Sequence, residues 1–354
     1  MKRLLTVQLF LIPFLLVFGG RDARHNAYAG EVGARAAVVI DGATEKILYA
    51  KNPNWKLPPA STTKLVTAMV VLDNINPETV ITVSENAADT PSVTPHLRAG
   101  ERFKVSDILY LALMRSVNGA AVALAEATAG SEKRFAVLMN DKVAGLGAEN
   151  TRFINATGLP GPDQHITAFD LAKVMKASLQ YPLIKEIINT RTKDIYSTEG
   201  RRIFVQNTDQ LLWVDEDLLG GKTGYTRAAR HCFVCAEQKG GNMLISAVLG
   251  ESVRDDLWHD SQILLDRGYN VITQKAEPLI YFSHAEDSPV VLAAYKSGGA
   301  DKRHKIVRHR TRRGARLSAG RNRTRTAGKG YKKRKGGQVK IVKKVKRLPA
   351  RNLS

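Results

Sequence analysis

Cysteine is nearly absent from this sequence, with two residues in 354. Two thiols cannot build a disulfide framework, so a buried core has to hold the fold. They stand as Cys232-Phe233-Val234-Cys235. In an extended segment residues i and i+3 point to opposite faces, which disfavours a mutual bridge. With no second cysteine pair and no ligand-like histidine spacing nearby, a zinc site is not expected either, and both thiols read as small buried hydrophobes. Aromatics are sparse at 6%, yet 44% hydrophobic and 25% charged residues are ordinary for a globular chain and exclude wholesale disorder.

Acid is what the C-terminus lacks. Residues 301–354 hold 22 of the 54 Lys and Arg but one of the 33 acids, which leaves 32 of each sign in the first 300. The formal charge of +21 therefore belongs to a tail, and the body is neutral. The tail is rich in Arg, Lys, Gly and Thr, cannot bury enough apolar surface to fold alone, and is expected to be disordered. A membrane-spanning run is also missing. Leu4 to Phe18 is apolar but short for a span, and it follows Lys2-Arg3 and precedes the A-x-A sequence Ala27-Tyr28-Ala29. Residues 1–29 thus read as a secretory signal peptide cleaved before Gly30. An exported chain makes nucleic acid an unexpected partner for the basic tail.

Periodicity organises what remains. Ala34–Ile40 and Lys46–Ala50 predict a hairpin around Gly42. Pro58-Pro59-Ala60 halts the chain, and Ser61-Thr62-Thr63 opens a helix reaching about Asp73. Further helices are predicted at Ile108–Met114, Ala120–Ala129, Glu132–Gly145, Thr167–Leu179 and Arg254–Tyr269. Short β segments are predicted at Arg202–Gln206, Gly221–Tyr225, Cys232–Ala236 and Leu244–Leu249. Strands at both ends with helices between imply an α/β (α+β) fold, one antiparallel sheet assembled from N- and C-terminal segments, flanked by helices, with a helical insert. The expected division is a domain over 30–275, a linker or short appendage over 276–300, and the tail.

Three short patterns carry chemistry. Ser61-x-x-Lys64 begins a helix, so the amine can reach the hydroxyl three residues earlier and take its proton, and the helix N-terminus favours developing negative charge. Lys222-Thr223-Gly224 sits in a β segment, offering a cation and a hydroxyl to a carboxylate, with a glycine that lets substrate approach the backbone. Ser116-Val117-Asn118 places a hydroxyl and a carboxamide between two helices. The same Ser-x-Asn spacing recurs at Ser84-Glu85-Asn86, but Ser116 follows an apolar helix whereas Ser84 opens a polar stretch.

In this order the three patterns match a signature shared by serine penicillin-binding proteins and β-lactamases. Their surroundings, Leu57 to Leu65 and Gly221 to Thr226, resemble the D-alanyl-D-alanine carboxypeptidases, the low-molecular-mass serine penicillin-binding proteins. Asn155-Ala156-Thr157-Gly158-Leu159 and Thr167 to Ala172 add to a resemblance running from about Ala34 to Tyr269. It implies a β-lactamase/transpeptidase-like fold without metal or cofactor, and peptidoglycan stem peptides and β-lactam antibiotics as partners. By the same resemblance Ser61 is the nucleophile, Lys64 its base and Ser116 a proton relay. Asn118 holds the substrate amide, Lys222 and Thr223 bind the terminal carboxylate, and the backbone N–H groups of Ser61 and Tyr225 form the oxyanion hole. Arg254 is a further candidate for carboxylate recognition. Removal of the terminal D-alanine is the expected activity, with endopeptidase cleavage of crosslinks as the alternative. Intact Ser61, Lys64 and Lys222 argue against a silent binding module, and a β-lactamase would need a placed glutamate, for which Glu186 has no supporting context. The family's second β-rich domain and anchoring helix find no counterpart, because residues 276–300 are too few. The polybasic tail is instead expected at an anionic membrane or wall polymer, in the periplasm or on the outer face of the cytoplasmic membrane.

Overall fold

The computed structural model describes residues 32–284 and 288–292. The expected signal peptide and the polybasic tail lie outside the described residues.

Strand β1 (Ala36–Asp41) turns back into β2 (Ile47–Lys51), and the Asp41 carboxylate accepts the N–H of Ala43 at 2.8 Å inside the turn. A long insert follows before β7 (Leu218–Thr226), β8 (Arg230–Lys239) and β9 (Asn242–Glu251) run as an antiparallel meander. Strand β9 then pairs antiparallel with β1, joining the two ends of the chain in one sheet. Two further strands, β10 (Leu279–His284) and β11 (Ser288–Leu292), come from the stretch expected as a linker or short appendage. The complete seven-stranded order is β11-β10-β2-β1-β9-β8-β7. Its one parallel pair is β10 with β2, so the sheet is antiparallel-dominated rather than wholly antiparallel.

Both faces of this sheet are covered, which explains why its central strands read as nearly continuous apolar runs. On β1, Ala36, Val38 and Ile40 enter the larger core under the insert, while Ala37 and Val39 enter the smaller one. Helix α8 (Arg254–Ile272) closes the smaller core with Leu257, Leu264 and Leu265. The pleat sends Cys232 into the larger core and Cys235 into the smaller, both as free thiols. Burial pushes the Cys232 thiol up to about 12 and the Cys235 thiol upward as well, which makes both inert.

The insert packs helix on helix. It comprises α1 (Lys64–Asn74), α2 (Glu85–Asp89), α3 (Val105–Met114), α4 (Asn118–Ala129), α5 (Glu132–Gly145), α6 (Ala168–Ser178) and α7 (Pro182–Asn189). Local chemistry sets several boundaries. The Ser131 and Thr167 hydroxyls cap α5 and α6 by accepting N–H groups of Arg134 and Asp170, and Pro182 opens α7. Two small ribbons complete the insert, β3 (Val80–Thr82) with β4 (Arg102–Lys104), and β5 (Thr192–Tyr196) with β6 (Arg202–Gln206). Among the described residues, no helix is long and apolar enough to cross a membrane.

Candidate active site

Ser61 lies in a 3-10 turn, Ala60–Thr63, that feeds directly into α1. A 3-10 turn eclipses side chains at i and i+3. The Lys64 ammonium nitrogen accordingly lies 2.9 Å from Ser61 Oγ. It also reaches Asn118 Oδ1 at 2.7 Å and the Thr157 carbonyl at 2.8 Å. Lys64 is buried while Ser61 keeps partial exposure, so the hydroxyl faces incoming substrate and the amine stands behind it. The Asn118 orientation is fixed independently, because its Nδ2 donates to the Pro91 carbonyl at 2.7 Å and leaves Oδ1 for the lysine.

Ser116 caps the gap between α3 and α4 in a left-handed conformation, φ 65°. A side chain larger than glycine costs about 1–3 kcal/mol there. The loop is held by buried Val117, whose N–H donates to the Leu111 carbonyl at 3.1 Å, and by the N–H of Asn118 donating to Ser92 Oγ at 2.8 Å. Lys222 on β7, also buried, donates to Ser116 Oγ at 3.1 Å and to the Thr223 carbonyl at 2.8 Å. All three patterns therefore converge. Ser84, the competing Ser-x-Asn serine, instead caps α2 and bonds Glu126.

Two glycines fix the distance between these elements. A Cβ on Gly224 would stand 2.8 Å from the Ser61 nitrogen and 2.9 Å from Ala60 Cβ, so β7 lies against the nucleophile's backbone at van der Waals contact. Gly158 has φ 80°, and its Cβ would come within 1.8 Å of the Ala60 carbonyl oxygen. Tyr225 follows Gly224 with an exposed ring that stacks against His231 at 4.5 Å between centroids. Arg254 opens α8 near His231, whose basicity is lowered by burial and then by the Arg254 charge.

Electrostatics prepare the lysine. Burial holds the Lys64 amine well below its ordinary range and the Lys222 charge lowers it further, while Glu132 opposes. A neutral Lys64 amine can donate to Asn118 and Thr157 and keep its lone pair for the Ser61 proton. The arrangement can thus activate a hydroxyl for attack on a carbonyl next to a cationic pocket.

Some contributors carry no sequence pattern. The Thr157 carbonyl is a backbone group, with only the surrounding Asn155–Leu159 segment as a signal. Thr208 shares a hydrogen with Thr223, Oγ to Oγ 2.6 Å, and had no signal of its own.

Residues 22–253, more than half the chain, match the D-alanyl-D-alanine carboxypeptidase peptidase family. The D-alanyl-D-alanine carboxypeptidase DacF of Bacillus subtilis (strain 168) is 33% identical over 261 residues, covering 71% of this chain and 67% of the relative. A D-alanyl-D-alanine endopeptidase of Escherichia coli (strain K12) is 37% identical over 218 residues, covering 60% and 69%. The crystal structure of a D-alanyl-D-alanine carboxypeptidase from Mycobacterium tuberculosis H37Rv superposes with a TM-score of 0.64 at 29% identity, over 68% of this chain and 92% of that one. The chain belongs to the D-alanyl-D-alanine carboxypeptidase family of serine peptidases.

Proposed function

We propose that the protein is exported and trims the terminal D-alanine from peptidoglycan stem peptides through an acyl-enzyme on Ser61. The observation that carries this reading is the contact of the buried Lys64, its amine held below its ordinary range by burial, with Ser61 Oγ at 2.9 Å, next to the buried Lys222. Lys64 takes the Ser61 proton as Oγ bonds to the carbonyl carbon between the two D-alanines. The Ser61 and Tyr225 N–H groups receive the oxyanion, an interaction worth roughly 3–4 kcal/mol in comparable sites. As the C–N bond breaks, the proton held by Lys64 is relayed through the Ser116 hydroxyl to the leaving D-alanine nitrogen, which leaves Lys64 neutral again and Ser116 protonated. Water then cleaves the ester and restores the hydroxyl. Asn118 holds the substrate amide, and Lys222 with Thr223 holds its terminal carboxylate. β-Lactams enter the same site and acylate Ser61.

Endopeptidase cleavage of crosslinks is the second reading, favoured by the 37% identity to a relative of that name. Digestion of purified muropeptides separates the two. Loss of one D-alanine from pentapeptide monomers, with dimers intact, is the expected result. Conversion of dimers into monomers, with pentapeptides intact, contradicts it.

The tail at 301–354, with 22 basic residues and one acid, is read as an anchor on anionic lipid or wall polymer. Each basic residue near such a surface contributes about 1 kcal/mol, screened within a Debye length. Raising salt, or deleting 301–354, is expected to release the full-length enzyme from membranes and sacculi. Unchanged fractionation under both treatments contradicts the anchor.

A further inference from the structure

Thr208 touches both the strand that carries Thr223 and the end of the helix that leads to Ser116, and the reaction above does not use it. The segment around it leaves β6 on a fixed platform. The buried Asn207 side chain donates from Nδ2 to the carbonyls of Ile188 at 3.2 Å and Thr190 at 3.0 Å. Asn207 Oδ1 accepts the N–H of Asp209 at 3.0 Å, and Asp209 Oδ1 accepts that of Leu211 at 2.9 Å. The backbone on either side of Thr208 is therefore held by side chains of its own segment. The Thr208 N–H donates to the Met114 carbonyl at 3.0 Å, at the end of α3 and two residues before Ser116. Its Oγ1 lies 3.2 Å from the same carbonyl and 2.6 Å from Thr223 Oγ1.

Counting hydrogens gives this contact a direction. A threonine hydroxyl carries one hydrogen, so Thr208 cannot donate to both oxygens. The Met114 carbonyl already receives the Thr208 N–H, and Thr223 Oγ1 is the nearer acceptor. Between two hydroxyls either can be the donor, and the ligand decides which. A carboxylate has no hydrogen and only accepts. Once Thr223 donates its single hydrogen to a carboxylate, its oxygen can only accept from Thr208. The chain then runs from Thr208 through Thr223 to the carboxylate, each bond polarising the next. A C-terminal amide accepts through its oxygen and donates through its nitrogen, so it meets Thr223 whichever way that hydroxyl points. Only the carboxylate demands one direction.

We propose that Thr208 is a positioning residue for the free C-terminal carboxylate of the substrate: it donates its hydroxyl hydrogen to Thr223 and so turns the Thr223 hydrogen towards the ligand. The proposal rests on the reading of Thr223 as a carboxylate ligand. Because Asn207 and Asp209 hold the segment without help from substrate, the Thr208 oxygen is in place before binding, and no ordering cost falls on the ligand. The Thr208 N–H meanwhile ties the segment to the Met114 carbonyl, a backbone bond that substitution of the side chain leaves in place unless proline is introduced. The two roles can thus be separated, the hydroxyl serving Thr223 and the N–H serving the Ser116 loop.

Thr208→Val removes the hydroxyl and keeps the β-branched shape and the backbone N–H, whereas Thr208→Ser keeps the hydroxyl and drops the methyl. The experiment measures initial rates on a D-alanyl-D-alanine peptide and on its C-terminal amide for wild type, T208V, T208S, T223V and the T208V/T223V pair. Expected for T208V is a KM raised about fivefold on the carboxylate peptide, with kcat there, and kcat/KM on the amide, within about twofold of wild type. T208S is expected within about twofold of wild type on both substrates. In the pair, T208V adds less than about twofold to the loss caused by T223V, because it acts through that hydroxyl. KM does not depend on the fraction of protein that folds. A T208V that leaves KM unchanged, or impairs both substrates equally, overturns the role of Thr208. A T208V that lowers KM for the carboxylate peptide means that the chain runs the other way and overturns it too, as does a T208S as impaired as T208V. A wild type indifferent to amidation, or a T223V with undiminished preference for the carboxylate, overturns Thr223 as the ligand, and the proposal with it.

Discussion

A Lys64→Ala enzyme is expected to be acylated by penicillin about 10²–10⁴-fold more slowly than wild type, with its melting temperature unchanged or raised. The rate loss follows from geometry. Lys64 is the amine 2.9 Å from Ser61 Oγ, and a hydroxyl without a positioned base is a poor nucleophile. The stability expectation follows from burial. A lysine whose folded pKa is depressed destabilises the fold as pH falls from its unfolded value through its folded one, so at neutral pH removing it relieves a cost. The lost stem and the unpaired Thr157 carbonyl act in the opposite direction. Stopped-flow acylation and calorimetry read the two effects separately. Acylation within tenfold of wild type would remove Lys64 from the role of base.

Gly158→Ala is expected to cost about 2–5 kcal/mol of stability and to slow acylation of whatever folds. Two costs combine. A side chain at φ 80° pays about 1–3 kcal/mol, and the new methyl meets the Ala60 carbonyl at 1.8 Å, where backbone on both sides resists movement. Any relief has to part the 155–159 loop from the Ala60–Thr63 turn. That same separation draws the Thr157 carbonyl from Lys64 and disturbs Ser61. Urea denaturation gives the stability change, and a loss below 0.5 kcal/mol, as for an ordinary surface substitution, would contradict the described contact.

Much of this arrangement was legible in the sequence because side-chain chemistry and local spacing wrote it. Ser61 and Lys64 are three residues apart on one turn, and Ser116 and Lys222 sit beside elements that their flanking apolar runs announce. The hairpin of β1 and β2 and the helices α1, α3, α4, α5, α6 and α8 followed from the same periodicities. What stayed hidden depends on distant or backbone partners. Leu279–His284 is a short apolar run between Pro278 and a charged stretch, and its pairing with β2, over two hundred residues earlier, is what brings it into the sheet. Thr157 contributes a carbonyl, which every residue has. Asp209 is fully buried, and nothing in Asn207-Thr208-Asp209-Gln210 marks an acid that faces inward. Of the small ribbons, β6 was expected at Arg202–Gln206, whereas β3, β4 and β5 are stabilised by the insert they lie on, and alternation alone is too brief to reveal them. Glycine at 158 and 224 was visible, but the backbone each one admits was not.

The central claim is that Ser61 becomes covalently acylated with Lys64 as its base. Its most direct test is tandem mass spectrometry of the purified enzyme after brief exposure to benzylpenicillin. The account predicts one adduct per chain, carried by Ser61 in the peptide that contains Leu57 to Lys64, and none in Ser61→Ala. An adduct on another residue, or one that persists in Ser61→Ala, would contradict it.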